Sequence, residues 1–355
     1  MSNLTILALG DLHIQPDNLA DIKIYLNQLK KFLEERKDFD LIVIMGDTLH
    51  THELVYSQCL NMMLEYIWLC QAHAPTYILI GNHELVNNGE FLNDQHPFVG
   101  WKKTYNIVDR VIHMEVKDKH LLLSPYVPDG RFVEALKTNS FDFRKADCIF
   151  GHQLLDGAKM GAIKAKGIEE WKKEYPMLIS GHIHDQQDPQ PNLHYTGSSI
   201  QVAFGEQEDH TASVITIRDI ESGSKITIEK VNLHPPTKRT IYLDIGKVRS
   251  TEIKQDENTM VKLSISGDSE DFKTFKKTQQ YKDYLSKGIK VVFKQKKKYQ
   301  PELPSTNQKT FPNILFELIE KDPHLVSLYQ QIFVGLEKPH ENIEIVLEPE
   351  IIFEN

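Results

Sequence analysis

Five short motifs in this sequence combine residue types that could hold metal ions. They are Gly10-Asp11-Leu12-His13, Gly46-Asp47-Thr48-Leu49-His50, Gly81-Asn82-His83-Glu84, Gly151-His152 and Gly181-His182-Ile183-His184. Together they offer carboxylate, amide oxygen and imidazole. That mixed nitrogen and oxygen set suits Mn²⁺, Fe or Zn²⁺ and suits Ca²⁺ poorly. Two cations held close together need a bridging anion, which a carboxylate can supply. Such a pair would activate a water at neutral pH and clamp phosphoryl oxygens for in-line attack. A lone Gly-His pair carries no weight in a chain with sixteen histidines. Five such motifs, each directly after an apolar run, carry a great deal. His113, His120, His194, His210 and His234 follow no such rule and read as structural or surface residues.

The apolar runs are the elements that must position these groups. Leu4 to Leu9, Leu41 to Met45, Thr76 to Ile80, Leu121 to Tyr126, Cys148 to Phe150 and Met177 to Ile179 all have strand length. Between them, Asn18 to Glu35 carries apolar residues at helical spacing, and Leu54 to Ala72 reads as an unusually apolar helix. This alternation implies an α/β core with layered sheets, whose strand ends converge on one rim. A glycine at each turn lets the backbone bend sharply and approach an ion. The Pro235-Pro236 pair marks a boundary. Beyond it, strands at Thr240 to Ile245, Met260 to Ser266 and Ile289 to Phe293, with a polar helix from Ser269 to Lys287, form a small β-β-α-β unit.

The chain has 355 residues and 40% hydrophobic content, enough for a sizeable core. No stretch has the length and apolarity of a membrane span or a signal peptide, so a soluble cytoplasmic protein is expected, in a bacterium or in the host cell of a phage or virus. Cys59, Cys70 and Cys148 lack motif spacing and read as buried small hydrophobes in a reducing compartment. The net charge of −9 argues against a nucleic-acid partner only on average, because Phe272 to Gln300 contains ten lysines and one acid. From Leu336 to Asn355 there are six glutamates and one lysine.

The motif series resembles the calcineurin-like metallophosphoesterase superfamily. The resemblance implies a two-sheet αββα sandwich, with a small α+β capping domain and a C-terminal helical segment in the branch discussed next. It also implies ligand roles. Asp11, His13 and His184 would hold one divalent metal; Asn82, His152 and His182 would hold the other; Asp47 would bridge them. His83 would act near the leaving group as a general acid or transition-state stabiliser.

The Ser/Thr phosphatases of the superfamily carry Asp at the place of His50 and then Arg-Gly, where this chain has Thr51-His52. In this respect the chain resembles Mre11/SbcD-type DNA nucleases and the recombination nuclease subunit of T4-like phages. Ser124-Pro125-Tyr126, Tyr195 to Ser199 and Phe204-Gly205-Glu206 are similar to that branch as well. Glu84 stands where many of these nucleases carry Asp.

The resemblance implies His50 and His83 as catalytic residues, two ions, most readily Mn²⁺, and DNA as substrate. It divides the chain into a nuclease domain (1–235), a DNA-capping domain (236–300), a linker (301–312) and a docking segment (313–355). Lys273, Lys276, Lys277, Lys294, Lys296, Lys297 and Lys298 would contact phosphates. Residues 313–336 would dock a Rad50/SbcC-type SMC-like ATPase. The Leu54 to Cys70 helix would pack either in the core or at the two-fold interface of a homodimer. The expected reaction is exonuclease action on duplex ends (3′–5′) and endonuclease action on single strands. The alternatives are a small-molecule or nucleotide phosphodiesterase or phosphatase on the same fold, and an inactive scaffold. The complete ligand set gives the scaffold no support.

Overall fold

The computed structural model describes residues 3–296 except 53, 162, 221, 222 and 257, together with 315, 316, 318–322, 324–327 and 329. Residues 1–296 form one compact unit and 297–355 a second. The expected linker, Lys297, Lys298 and most of the expected docking segment lie outside the described residues.

In chain order the strands and helices of the first unit begin with β1 (Leu4–Leu9), α1 (Leu19–Glu35), β2 (Leu41–Ile44), α2 (Ser57–Gln71), β3 (Thr76–Leu79), β4 (Asn106–Val108), β5 (Ile112–Val116) and β6 (Lys119–Leu123). Then come α3 (Phe132–Leu136), β7 (Cys148–His152), β8 (Lys159–Met160), β9 (Ile163–Lys164), β10 (Met177–Gly181), β11 (Gln187–Gln190) and β12 (Leu193–Tyr195). The chain continues through β13 (Ala212–Ile220), β14 (Gly223–Val231), β15 (Thr237–Asp244), α4 (Ile245–Val248), β16 (Thr259–Gly267), α5 (Ser269–Lys276), α6 (Gln279–Ser286) and β17 (Lys290–Gln295).

Two six-stranded sheets stack face to face, ordered β14-β13-β1-β2-β3-β4 and β11-β12-β10-β7-β6-β5. Side chains of β1 alternate between two cores. Leu4, Ile6 and Ala8 point between the sheets, where Leu121, Leu123, Phe150 and Ile179 meet them. Leu7 and Leu9 point the other way, onto Ile22, Tyr25 and Leu29 of α1 and Met63, Tyr66 and Ile67 of α2. The second sheet is covered likewise, with Leu122, Ile149 and Leu178 packed on Phe132 and Trp171. Burial on both faces is why these strands read as unbroken apolar runs. The αββα sandwich is therefore the fold.

Strands β1, β2 and β3 are mutually parallel, as are β7 and β10. Their C-terminal ends carry all five glycine-led motifs. The α2 helix is shorter than expected: its buried face is Cys59, Met63, Tyr66, Ile67 and Cys70, while Leu54 and Tyr56 stay outside it and exposed. All three cysteines are free and buried.

The nine-residue strands of the β13–β14 hairpin went unread in the sequence. β13 runs antiparallel to β1 and extends the first sheet. Beyond Pro236, β15, β16 and β17 form a separate parallel sheet around its own core of Val261, Leu263, Ile265, Phe272 and Phe275. The single helix expected from Ser269 to Lys287 is two helices. The Thr278 hydroxyl accepts a hydrogen bond from Tyr281 N and starts a second helix there. A short helix, α4, also separates β15 from β16.

In the second unit, residues 315, 316, 318, 319 and 324–327 are helical. Asp322 accepts hydrogen bonds from His324 N and Leu325 N. No helix among the described residues is long and apolar enough to cross a membrane.

Candidate metal centre and active site

The five motifs meet at the rim of the sandwich. Ligand atoms of Asp11, His13 and His184 lie within 4.8 Å of one another, and so do those of Asp47, His152 and His182. Asn82 joins the second group, its Oδ1 standing 2.9 Å from His182 Nδ1 and 3.3 Å from His152 Nε2. Asp47 Oδ2 lies 3.3 Å from His152 Nε2 and 3.6 Å from His13 Nε2, between the two groups. His13, His50 and His83 form a third, overlapping group.

The backbone is bent to achieve this. His13, Asp47 and His182 have φ of 45°, 46° and 78°, a left-handed region that non-glycine residues seldom occupy. Gly81 is required for a steric reason: a Cβ there would lie 2.2 Å from Asp47 Oδ1 and 2.3 Å from Asp47 N. Glu84 fixes the same turn, its carboxylate accepting hydrogen bonds from Asp47 N, Leu49 N and Gly81 N at 2.8–3.0 Å.

The donor chemistry fits cations. His152 Nδ1 donates to the Met45 carbonyl at 2.7 Å, so its Nε2 lone pair faces the oxygens of Asp47 and Asn82. His184 Nδ1 donates to Glu206 Oε1 at 2.8 Å, so its Nε2 lone pair faces His13 Nε2 at 2.9 Å. Acceptors aimed at acceptors are stable with a cation among them. Asp11 Oδ1 is buried and has no hydrogen-bond partner. Such a buried polar atom calls for a ligand. Without a cation, the crowded groups of the protein alone shift their protonation instead. Burial pushes Asp11 up to about 7 and His182 down to about 3. Burial opposes the charging of His152 too, but Asp47 and Asp11 outweigh it and lift its pKa to about 10.

His83 is held differently. Its backbone N donates to Asp47 Oδ1 at 2.9 Å and its Nδ1 donates to the His50 carbonyl. Its Nε2 is left 4.0 Å from Asp47 Oδ2, facing the cluster. The His50 ring stacks on His83 with centroids 5.3 Å apart and planes 15° apart, and His50 Nδ1 is 3.2 Å from His13 Nδ1. His52 stacks on His83 as well, at 4.9 Å and 16°.

Three further contributors had no role assigned from the sequence. Glu206 orients His184. Tyr126 stacks on His182 with ring centroids 5.8 Å apart. His52 completes the imidazole stack. The segments that hold them, Phe204-Gly205-Glu206, Ser124-Pro125-Tyr126 and Thr51-His52, stand out in the sequence, but nothing in them signals a contact with the cluster.

The described lysines of the proposed DNA contact set do not enter this cluster. Lys273 pairs with Glu270, Lys276 lies over the Phe272 ring and Lys296 pairs with Asp244. Lys277 and Lys294 are exposed. Of the third sheet, β15 and β16 do reach this region. Gln201 exchanges two hydrogen bonds with the Lys238 backbone on β15 and donates a third to the Glu206 carbonyl. Lys262 Nζ on β16 lies over the Phe204 ring at 5.1 Å. His194 and His210 are buried and hydrogen-bonded away from the cluster, as structural histidines are.

Residues 4–186 match the calcineurin-like phosphoesterase family. The chain is 38% identical over 283 residues to a protein named as a phosphoesterase, 244L of Invertebrate iridescent virus 6, covering 79% of this chain and 99% of that one. It is 33% identical over 327 residues to another so named, 078R of Invertebrate iridescent virus 3, covering 90% and 93%. The chain therefore belongs to the calcineurin-like phosphoesterase family, and its chemistry is phosphoester hydrolysis at a divalent-metal centre.

Proposed function

We propose that the protein is a two-metal DNA nuclease that processes DNA ends, with Asp11, His13 and His184 holding one ion, Asn82, His152 and His182 the other, and Asp47 between them. One observation carries the nuclease reading: His50 stacks on His83 and reaches His13, at a place where the phosphatases of the superfamily carry Asp. The ions would supply an activated water and charge neutralisation for the phosphoryl group. The protein's own part is positional. The His50 carbonyl holds His83 Nδ1–H, so His83 Nε2 faces the reaction volume and, protonated, donates to the leaving oxygen. His50 and His52 both stack on the His83 ring and would help hold its orientation.

Mn²⁺ is the ion the resemblance to the nuclease branch favours, and the mixed nitrogen and oxygen donors accept it along with Fe and Zn²⁺. Lys273, Lys276, Lys277, Lys294, Lys296, Lys297 and Lys298 would bind phosphates without reading sequence. Residues 313–336 would dock a Rad50/SbcC-type ATPase. Phe316, Leu318 and Leu325 on that segment are exposed, as a docking face requires. A homodimer would use the exposed Leu54, Tyr56 and Trp68.

The deciding assay offers duplex and single-stranded DNA with Mn²⁺, Mg²⁺ or Zn²⁺. Mn²⁺-dependent degradation of duplex ends and cutting of single strands are expected. Hydrolysis of a simple phosphodiester without DNA cleavage under any of these metals would replace the nuclease with a small-molecule phosphodiesterase. Removing residues 313–355 should abolish ATPase association and leave basal cleavage; co-purification of the truncated chain with the ATPase would refute the docking role.

A further inference from the structure

A cavity of about 400 Å³ adjoins the metal centre. Its lining includes Lys159, Met160, His182, His184, Phe204 and Glu206. Thus two of the candidate metal ligands form part of the wall of a space large enough for a nucleotide. Other parts of the wall come from two segments whose apolar side chains stay out of the cores. One is the β8–β9 hairpin, in which Met160 pairs with Ile163 across the strands and the two are 52% and 70% exposed. The other is the Phe204 to Glu206 segment. Phe204 is half-buried, and among the described residues neither it nor Met160 nor Ile163 joins any of the four apolar cores.

Both segments are nevertheless anchored. Gln187 holds Lys159 by two hydrogen bonds, accepting from its N at 2.7 Å and donating to its carbonyl at 2.8 Å. Phe204 has Lys262 over its ring, and Glu206 is tied to His184 and to Val202 N. Apolar side chains fixed beside a charged centre, outside any core, suit a flat apolar ligand that carries a negative charge at one end.

We propose that this cavity is a nucleobase subsite, in which the base next to the scissile phosphate stacks on Phe204 and packs against Met160. The proposal rests on the nuclease reading and narrows it. A base can enter such a cavity only when unpaired, so the preferred substrate is a frayed end or a single strand. Lys159 and Lys262 add positive charge beside the base and its phosphate.

The test is an equilibrium titration, with no hydrolysis involved, of the full-length protein with dAMP and with deoxyribose 5-phosphate, which has the phosphate and no base. The wild type should bind dAMP at least about fivefold more tightly, the low end of what base–aromatic stacking provides. Phe204→Ala should bring the ratio close to one, and Phe204→Tyr should preserve it. Met160→Ala, at an exposed position that tolerates truncation, should lower it severalfold. Equal binding of the two ligands by the wild type would overturn the proposal. So would a Phe204→Ala protein that loses affinity for both ligands equally, or one that keeps the full ratio. A wild type that prefers dAMP but cuts no DNA would leave the subsite standing and defeat only the nuclease reading.

Discussion

Glu206 accepts a hydrogen bond from His184 Nδ1 at 2.8 Å, and its other oxygen accepts one from Val202 N at 2.7 Å. The carboxylate thereby fixes both the ring angle and the tautomer of His184, which leaves Nε2 as the lone pair facing the cluster. Burial raises the cost of ionising Glu206, yet the bond to His184 holds its pKa below the usual carboxylate range, so it is charged at neutral pH. Partners of this kind are worth about 10–100-fold in metal affinity. Glu206→Ala should weaken Mn²⁺ binding by about that factor in calorimetric titration, with Glu206→Gln intermediate. Unchanged Mn²⁺ affinity in Glu206→Ala would show that His184 needs no such support.

Gly81 makes a prediction of the opposite kind, in which an added methyl does the damage. Its ideal Cβ would overlap Asp47 Oδ1 and N. Neither atom can retreat, because Asp47 N is held by Glu84 and Asp47 Oδ1 by His83 N. Gly81→Ala should destabilise the fold by roughly 2–4 kcal/mol, as strain at a buried backbone contact does. It should also abolish binding of the second metal ion. Denaturant unfolding and metal stoichiometry measure the two effects, and a fully stable, fully metallated variant would contradict the geometry.

Much of this centre was legible because several of its determinants are local in sequence. Each glycine-led motif directly follows a strand that is buried on both faces, and such strands announce themselves as apolar runs. The motifs that hold Asp11, Asp47, Asn82, His152 and His182 were therefore legible from spacing and strand order, while the role of each residue came from the family resemblance. What stayed hidden depends on contacts distant in sequence. Glu206 meets His184 across an irregular loop, and nothing in its neighbours signals that contact. The β13–β14 hairpin was obscured because its outer half is polar, with Arg218, Asp219, Lys225 and Glu229 interrupting the pattern. The break between α5 and α6 was legible in principle, since Thr278 is a good N-cap residue, but apolar spacing at Phe272, Phe275 and Tyr284 runs through it.

His194 links the two sheets and makes stability depend on acidity. It is fully buried, with Nδ1 2.6 Å from Asp188 Oδ1 and Nε2 3.0 Å from Ser213 Oγ. Burial holds its pKa below the ordinary 6.5, and the bond to Asp188 only partly offsets this. The unfolded chain therefore binds the proton more readily. The stability contributed by neutral His194 is complete above pH 6.5 and is lost as pH falls from there through the folded-state value. Buried His96, also depressed by burial, acts in the same direction. Urea midpoints should fall on acidification below pH 6.5, and His194→Gln should show a shallower fall. An identical pH profile in that variant would assign the effect elsewhere.

On the proposed reading, substitution of His83 should separate metal binding from catalysis. His83 belongs to neither of the two groups that contain Asp11 or Asp47. Its Nδ1 is occupied by the His50 carbonyl, and its Nε2 stands 4.0 Å from Asp47 Oδ2. In the proposed role a proton held there would pass to the leaving oxygen, a contribution worth about 10²–10⁴-fold. His83→Ala should therefore retain two ions per chain by elemental analysis while phosphodiester cleavage falls by about that factor. Removing the ring also leaves His50 and His52 without the surface on which both stack, so part of the loss should come from a mobile His50. His50→Ala should show a smaller loss, and the double variant should lose less than the sum of the two in free energy, since the residues touch. Loss of an ion in His83→Ala would make His83 a ligand and remove it from the proton-donor role.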